Sequence, residues 1–174
     1  MLERYRGVMP GPRPFDPLAE ARRQWDANEL GESVSMHAAV SIIHAHQVVS
    51  TAIDRALRPL DLSFARYEVL MLLSFSRNSA LPITKIGERL LVHPTGITRL
   101  VDKLEVAGLV ARSSHPGDRR SVLVSLTHEG RALSRKASDL LASMRFGTPL
   151  SEVDLIQLIA LLGKLRASGV IDQT

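Results

Sequence analysis

Apolar residues recur at helical spacing through most of this chain. Behind Asp16, a good N-cap, and Pro17, suited to a first helical position, Leu18, Ala21 and Trp25 predict a helix over about 17–29, with Gly31 just beyond it. A longer stripe of Val34, Ala38, Ile42, Ala45, Val49, Ala52, Ile53 and Ala56 predicts a second helix over 33–58, capped by Ser33 or Ser35 and stopped before Pro59. In "DLSFARYEVLMLLSFS", Ser63 is placed as N-cap and Leu62 and Tyr67 as a hydrophobic staple. The apolar residues there lie all round the helix, so it is expected at the centre of the fold. Near the far end, Leu155, Leu158, Ile159, Leu162 and Leu165 follow Ser151 as N-cap, and Gly169 closes the helix. Helices this apolar near the two ends of the chain need a cover, which either supplies for the other or a second copy of the chain supplies.

Between them stands "LPITKIGERLLVHPTGITRLVDKLEVAGLV". Pro82 can start a helix whose inward face is Ile83, Ile86 and Leu90, with Gly87 allowing close helix approach. A three-residue connection, Leu91 to His93, leads to Pro94 at the first position of the next helix, whose inward residues are Ile97, Leu100, Val101 and Leu104. A helix, a short turn and a second helix is the geometry that presents the second helix to a DNA major groove. With those four residues inward, Thr95, Gly96, Arg99, Asp102 and Lys103 face outward and Thr98 sits at the border. Hydroxyls near the helix start suit phosphate and base contacts, Gly96 permits close approach, and Arg99 can grip a guanine or a phosphate. The same pattern also fits an ordinary helical hairpin with a solvated polar face.

The residues after Gly108 change that balance. "LVARSS" and "SVLVSLT" read as two strands of a hairpin, and the "HPGDRR" between them carries two adjacent arginines. A helix-turn-helix followed directly by such a hairpin is a winged helix, in which an arginine at the hairpin tip can enter the electronegative minor groove. Asp118 either pairs with a neighbouring arginine and aims it, or is a plain turn former. Charge is distributed to match. Residues 82–136 hold ten basic and five acidic side chains, a net +5, whereas residues 1–81 balance at zero and 137–174 carry −1, within a total of +4.

Composition removes several alternatives. The 174 residues contain no cysteine, which excludes disulfides, thiolate metal sites and thiol-based sensing. Ser-His-Asp groupings, Gly-rich phosphate loops and metal-spaced clusters do not stand out, so no enzyme, cofactor or metal is expected. His37 and His44 are seven residues apart, a poor spacing for shared ligation, and His46 is on another face. No apolar run is long enough to span a bilayer and no signal-peptide pattern opens the chain, so a cytoplasmic location is expected. The fold class expected is mainly α with a small β-hairpin wing. An N-terminal arm at 1–16, helices at 17–62, a winged helix-turn-helix lobe at 63–130 and C-terminal helices at 131–174 make up its organisation.

The stretch "HPTGITRLVDKLEVAGLVARSSHPGDRRSVLVSLTHEGRAL", residues 93–133, resembles the MarR family of bacterial transcription regulators, and the likeness extends more loosely over about 33–168. The family's wing signature, Asp-x-Arg before an apolar strand ending in Leu-Thr, stands as Asp118-Arg119-Arg120 before "SVLVSLT". The resemblance implies a homodimer joined through N- and C-terminal helices, with recognition helix 94–106 in the major groove and wing 113–121 at the minor groove of a pseudo-palindromic operator. It assigns Arg120 to the minor groove, with Asp118 as its positioning partner and Arg119 as a phosphate contact or solvated charge. Thr95, Gly96, Thr98, Arg99 and Lys103 are placed at the DNA-facing side of the recognition helix.

Such proteins are most often repressors released by a small aromatic or acidic molecule bound between the dimer helices and the DNA-binding lobe. An alternative is a winged-helix module acting by protein contact or architectural DNA binding without an effector. Candidate effector residues, chosen for polar handles on the helices flanking that cleft, are His44, Arg66 and Tyr67, with Trp25 as a wall. The extra N-terminal helix with Trp25 is similar to a urate-responsive subgroup, whose other ligand residues are not matched. Simple packing of an extra helix accounts for Trp25 as well.

Overall fold

The computed structural model describes the backbone of residues 15–115 and 118–168, and the side-chain surroundings of these residues except 115 and 118–120. It divides into two compact units, Met1–Val48 and Val49–Thr174, with the boundary inside a helix.

In the first unit, α1 (Pro17–Ala27) begins as expected, with the Asp16 carboxylate accepting from the N–H groups of Leu18 and Ala19. The next helix, α2 (Ser33–Leu57), differs at its start. Neither Ser33 nor Ser35 is the cap. Glu32 accepts from the N–H groups of Val34 at 2.6 Å and Ser35 at 2.8 Å. Hydrogen bonds from Ser35 hold the Glu32 carboxyl below its ordinary range. A carboxylate at a helix N-terminus combines a cap with a favourable charge on the macrodipole. Ser33 is instead buried, and its hydroxyl accepts from Arg22 Nε of α1 at 3.4 Å.

The second unit carries the winged helix. The central helix α3 (Phe64–Phe75) is capped by Ser63 and buries Tyr67, Val69, Leu70 and Leu73. It is followed by β1 (Ala80–Pro82), α4 (Ile83–Leu90), α5 (Pro94–Val106), β2 (Val110–His115), β3 (Asp118–Leu126), α6 (His128–Ser143) and α7 (Glu152–Ser168). The three strands form an antiparallel sheet in the order β1-β3-β2, with Ala80 opposite Ser125 and Val110 opposite Leu126. β1 has no counterpart in the sequence reading. Three residues ending in proline carry no alternation to detect, and Pro82 is tolerated because the strand lies at the sheet edge. Pro82 therefore ends β1 and stands just ahead of α4 rather than inside it.

β3 starts at Asp118, earlier than "SVLVSLT" suggests, and His115 pairs with Asp118 across the hairpin. α6 starts at His128, so the 130/131 boundary expected from sequence falls in its first turn. Leu57, Leu70, Leu73, Ile86, Ile97, Val101, Leu104, Val124 and Leu141 are fully buried and join α2, α3, α4, α5, β3 and α6 in one core. Each such side chain contributes roughly 1.5–3 kcal/mol of apolar burial.

A close backbone approach locks the exit of α5 to the start of α6. Gly108, at φ +70°, ends α5, and its N–H bonds the Glu105 carbonyl while the Leu109 N–H bonds that of Leu104, a Schellman closure. Thr127 then donates to the Gly108 carbonyl at 2.8 Å and caps α6 by accepting from the Gly130 N–H at 3.0 Å. Any Cβ on Gly130 would clash with the Leu109 carbonyl oxygen. A Cβ on Gly108 would meet nothing, so its requirement is conformational only. Gly130→Ala is therefore expected to destabilise the lobe by about 2 kcal/mol or more and Gly108→Ala by only about 1 kcal/mol. Urea denaturation of the two variants against wild type checks that order.

Candidate nucleic-acid interface

Helix α4 meets α5 through the Leu91–His93 turn expected from sequence. Leu91 adopts the left-handed conformation, at φ 53°, and its N–H closes α4 on the Gly87 carbonyl. Gly87 permits the approach, since a Cβ there would lie 3.2 Å from the Val92 carbonyl oxygen and 3.4 Å from Ile97. His93 Nδ1 accepts from the Thr95 N–H at 3.4 Å, and Pro94 opens the helix. Ile97, Val101 and Leu104 are buried, with Leu100 partly so, as the inward-face assignment requires.

The outward face of α5 sorts into two ridges at helical spacing. One is Thr95, Arg99 and Lys103, all exposed. Among the described residues neither Arg99 nor Lys103 has an ion-pair partner. Gly96 stands at the foot of this ridge, half-buried, where a Cβ would press on the Val92 side chain. The other ridge is Thr98, Asp102 and Glu105. Thr98 donates its hydroxyl to the Pro94 carbonyl at 3.1 Å, so its hydrogen is turned back onto the helix and its oxygen is left as an acceptor. Asp102 and Glu105 are both engaged by Arg112 of β2, at 2.6 Å and 2.9 Å.

Arg112 escaped the sequence reading as a site residue. Its signal was present, in two acids three residues apart on α5 and an arginine two residues beyond Val110 on the strand that follows. Val110 is buried, and alternate strand residues share a face, so Arg112 projects toward α5. The side chains of Asp118, Arg119 and Arg120 lie outside the described residues; their backbones occupy the first positions of β3.

The candidate effector residues have separate surroundings. Trp25 and His44 belong to the first unit, Arg66 and Tyr67 to the second. His44 is exposed, and the Trp25 indole N–H is buried without a hydrogen-bond partner among the described residues. Arg66 is mostly covered and pairs at 3.8 Å with the exposed Asp61. Tyr67 is buried, stacks on Phe64 with ring centroids 6.0 Å apart, and shares a 3.1 Å hydrogen bond with Ser138. Since the Ser138 hydroxyl also lies 2.9 Å from the Ser134 carbonyl, its single hydrogen is directed there and Tyr67 is the donor. Next to Tyr67, burial pushes the Glu68 carboxyl above its ordinary range. No group of three or more His, Asp or Glu side chains is arranged to hold a metal among the described residues.

The MarR family model matches residues 62–122, the span from the start of α3 into β3. The chain is 30% identical over 111 residues to the HTH-type transcriptional repressor MdtR of Bacillus subtilis, covering 61% of this chain and 70% of that protein. It superposes with a TM-score of 0.73 on Sco5413, a MarR family transcriptional regulator from Streptomyces coelicolor, at 41% identity over 80% of this chain and 98% of the other. This chain belongs to the MarR family. A mutant of MarR from E. coli in complex with operator DNA matches with a TM-score of 0.67 and 26% identity, covering 75% of this chain and 95% of that one. The MarR fold accounts for the three-stranded sheet and for the helix pair α4 and α5 presented beside it. Family membership makes the chain a DNA-binding transcription regulator of the winged-helix type and not an enzyme. Among the described residues no helix is long and apolar enough to cross a membrane.

Proposed function

We propose that this chain is a homodimeric, effector-responsive repressor acting in the cytoplasm on a pseudo-palindromic operator, with α5 in the major groove and the 113–121 wing at the minor groove. The observation that carries the reading is the ridge of Thr95, Arg99 and Lys103, whose two cations face outward with no ion pair among the described residues while neighbouring acids are tied to Arg112. Cations left without internal partners on a helix that already buries its other face are available to phosphates and base edges. The E. coli MarR complex with operator DNA and the repressor MdtR support the same reading. Within it Arg120 enters the minor groove, Asp118 aims it and Arg119 contacts phosphate, with Thr98 and Gly96 flanking the major-groove contacts.

Dimerisation rests on the terminal helices, in the segments 17–62 and 131–174. Helix α7 has no buried residue, and Val153, Ile156, Ile159 and Leu161 are each more than 60% exposed. Val34, Ile43 and Val48 of α2 are more than half exposed as well. Apolar surface of that extent marks an interface, and a second copy of the chain is the cover that symmetric operator reading demands.

The Trp25 N–H, without a hydrogen-bond partner among the described residues, offers a donor to an anionic aromatic ligand. The commitments of Tyr67 to Ser138 and of Arg66 to Asp61 favour the second reading, a winged-helix protein without an effector.

Arg99→Ala, Lys103→Ala and Arg120→Ala are each expected to weaken operator binding about tenfold with unchanged melting temperature. For a lost phosphate contact, the slope of log affinity against log salt falls by about one; unchanged affinity in all three contradicts the interface. Joint Ile156→Glu and Ile159→Glu substitution is expected to leave a monomer by light scattering and to abolish tight operator binding. Aromatic acids such as benzoate, and metabolites such as urate, titrated into the operator complex discriminate the two readings, and release of DNA by any of them supports an effector. Failure of every compound to release DNA or shift the melting temperature supports the effector-free reading.

A further inference from the structure

Asp102 and Glu105 raise a problem for a helix that reads DNA. Asp102 lies on the outward face, half-exposed, and Glu105 sits in the last turn, where the helix macrodipole already disfavours negative charge. Both would repel phosphates. The guanidinium of Arg112 resolves this from the strand side. Its Nη2 lies 2.6 Å from Asp102 Oδ1 and 3.4 Å from the Thr98 carbonyl, and its Nη1 lies 2.9 Å from Glu105 Oε2. The Arg112 side chain is only 25% exposed, so the pairs are partly shielded from solvent. One fork thus spans two turns of the recognition helix and fixes it to the first strand of the wing. A lysine offers one point charge in place of the fork.

We propose that Arg112 is a positioning residue for DNA reading: it holds Asp102 and Glu105 off the phosphate backbone and sets the recognition helix against the wing, without itself contacting DNA. This inference rests on the DNA-binding reading above. Two consequences follow from the geometry. Removing Arg112 releases two carboxylates toward the DNA and frees α5 from β2, so all DNA binding weakens. Neutralising the carboxylates while keeping Arg112 frees a cation, so random DNA binds more tightly and the preference for operator falls.

The test uses full-length protein and two duplexes, one enriched from a randomised library by the wild-type chain and one of random sequence, with melting temperature recorded for every variant. Arg112→Ala is expected to lower affinity for both duplexes about tenfold or more. The double variant Asp102→Asn, Glu105→Gln is expected to bind random duplex about tenfold more tightly and to discriminate less. Adding Arg112→Ala to that double variant is expected to return random-duplex affinity to near the wild-type value without restoring discrimination. Arg112→Lys is expected to keep random-duplex affinity and lose discrimination, a split that a general loss of stability would not produce. Wild-type discrimination in Arg112→Lys overturns the proposal. So does a triple variant that binds random duplex as weakly as Arg112→Ala alone, because Arg112 would then be a direct phosphate contact. A wild-type chain that enriches no duplex and binds none overturns the DNA-binding reading itself, and this inference with it.

Discussion

The lobe is organised around a backbone contact at which no side chain fits. The Leu109 carbonyl oxygen sits against Gly130, and Thr127 ties the same point to Gly108, so the exit of α5, the start of β2 and the first turn of α6 meet at one joint. Everything distal to it inherits its geometry. The angle at which α5 leaves the core sets the face it offers outward, and the direction of β2 sets where the hairpin tip goes. Arg131, in the first turn of α6, reaches Ser79 just ahead of β1, so the far edge of the sheet is anchored from the same helix. Packing of Ile97, Val101 and Leu104 stabilises the arrangement, but apolar contacts are non-directional. Direction comes from the glycine approach and the hydrogen bonds around it.

On that frame the charges are separated by partner. Lys85 is paired with Glu88, and Arg112 with Asp102 and Glu105, whereas Arg99 and Lys103 face outward without an ion pair among the described residues. A net +5 over residues 82–136 says little about a binding face. What matters is which cations remain after internal pairing, because a paired arginine contributes little long-range field beyond its own ion pair. On α5 itself the cations that remain are Arg99 and Lys103.

The terminal helices show the opposite economy, with apolar side chains and little to cover them within their own units. Exposed isoleucine, leucine and valine on α7 are unfavourable in water and form a surface suited to association. In the proposed dimer, reading would be coupled to dimerisation, since two α5 helices have to be held one helical turn of DNA apart to engage two half-sites.

Much of this was legible beforehand, and the limit is physical. Helical periodicity, Ser63 and Asp16 as caps, the Leu91–His93 turn and the inward face of α5 are local properties, set by residues within a turn or two of each other, and the structure has them where the pattern puts them. The Glu32 cap escaped because three candidate acceptors lay within four residues, and burial of Ser33 against Arg22, a contact eleven residues apart, decided among them. β1 escaped because three residues carry no period and become a strand only by pairing with β3, more than forty residues on. The roles of Tyr67 and Arg112 likewise came from partners distant in sequence: Ser138 drew the tyrosine hydroxyl into the core, and α5 drew the arginine off the surface. The sequence by itself determined which segments are helical, which faces are apolar and where positive charge is concentrated, because these depend on neighbours along the chain. Which polar groups are spent inside the fold and which are left for DNA was decided only by tertiary structure, because a hydrogen bond or ion pair is made once, to whatever the folding brings within about 3 Å.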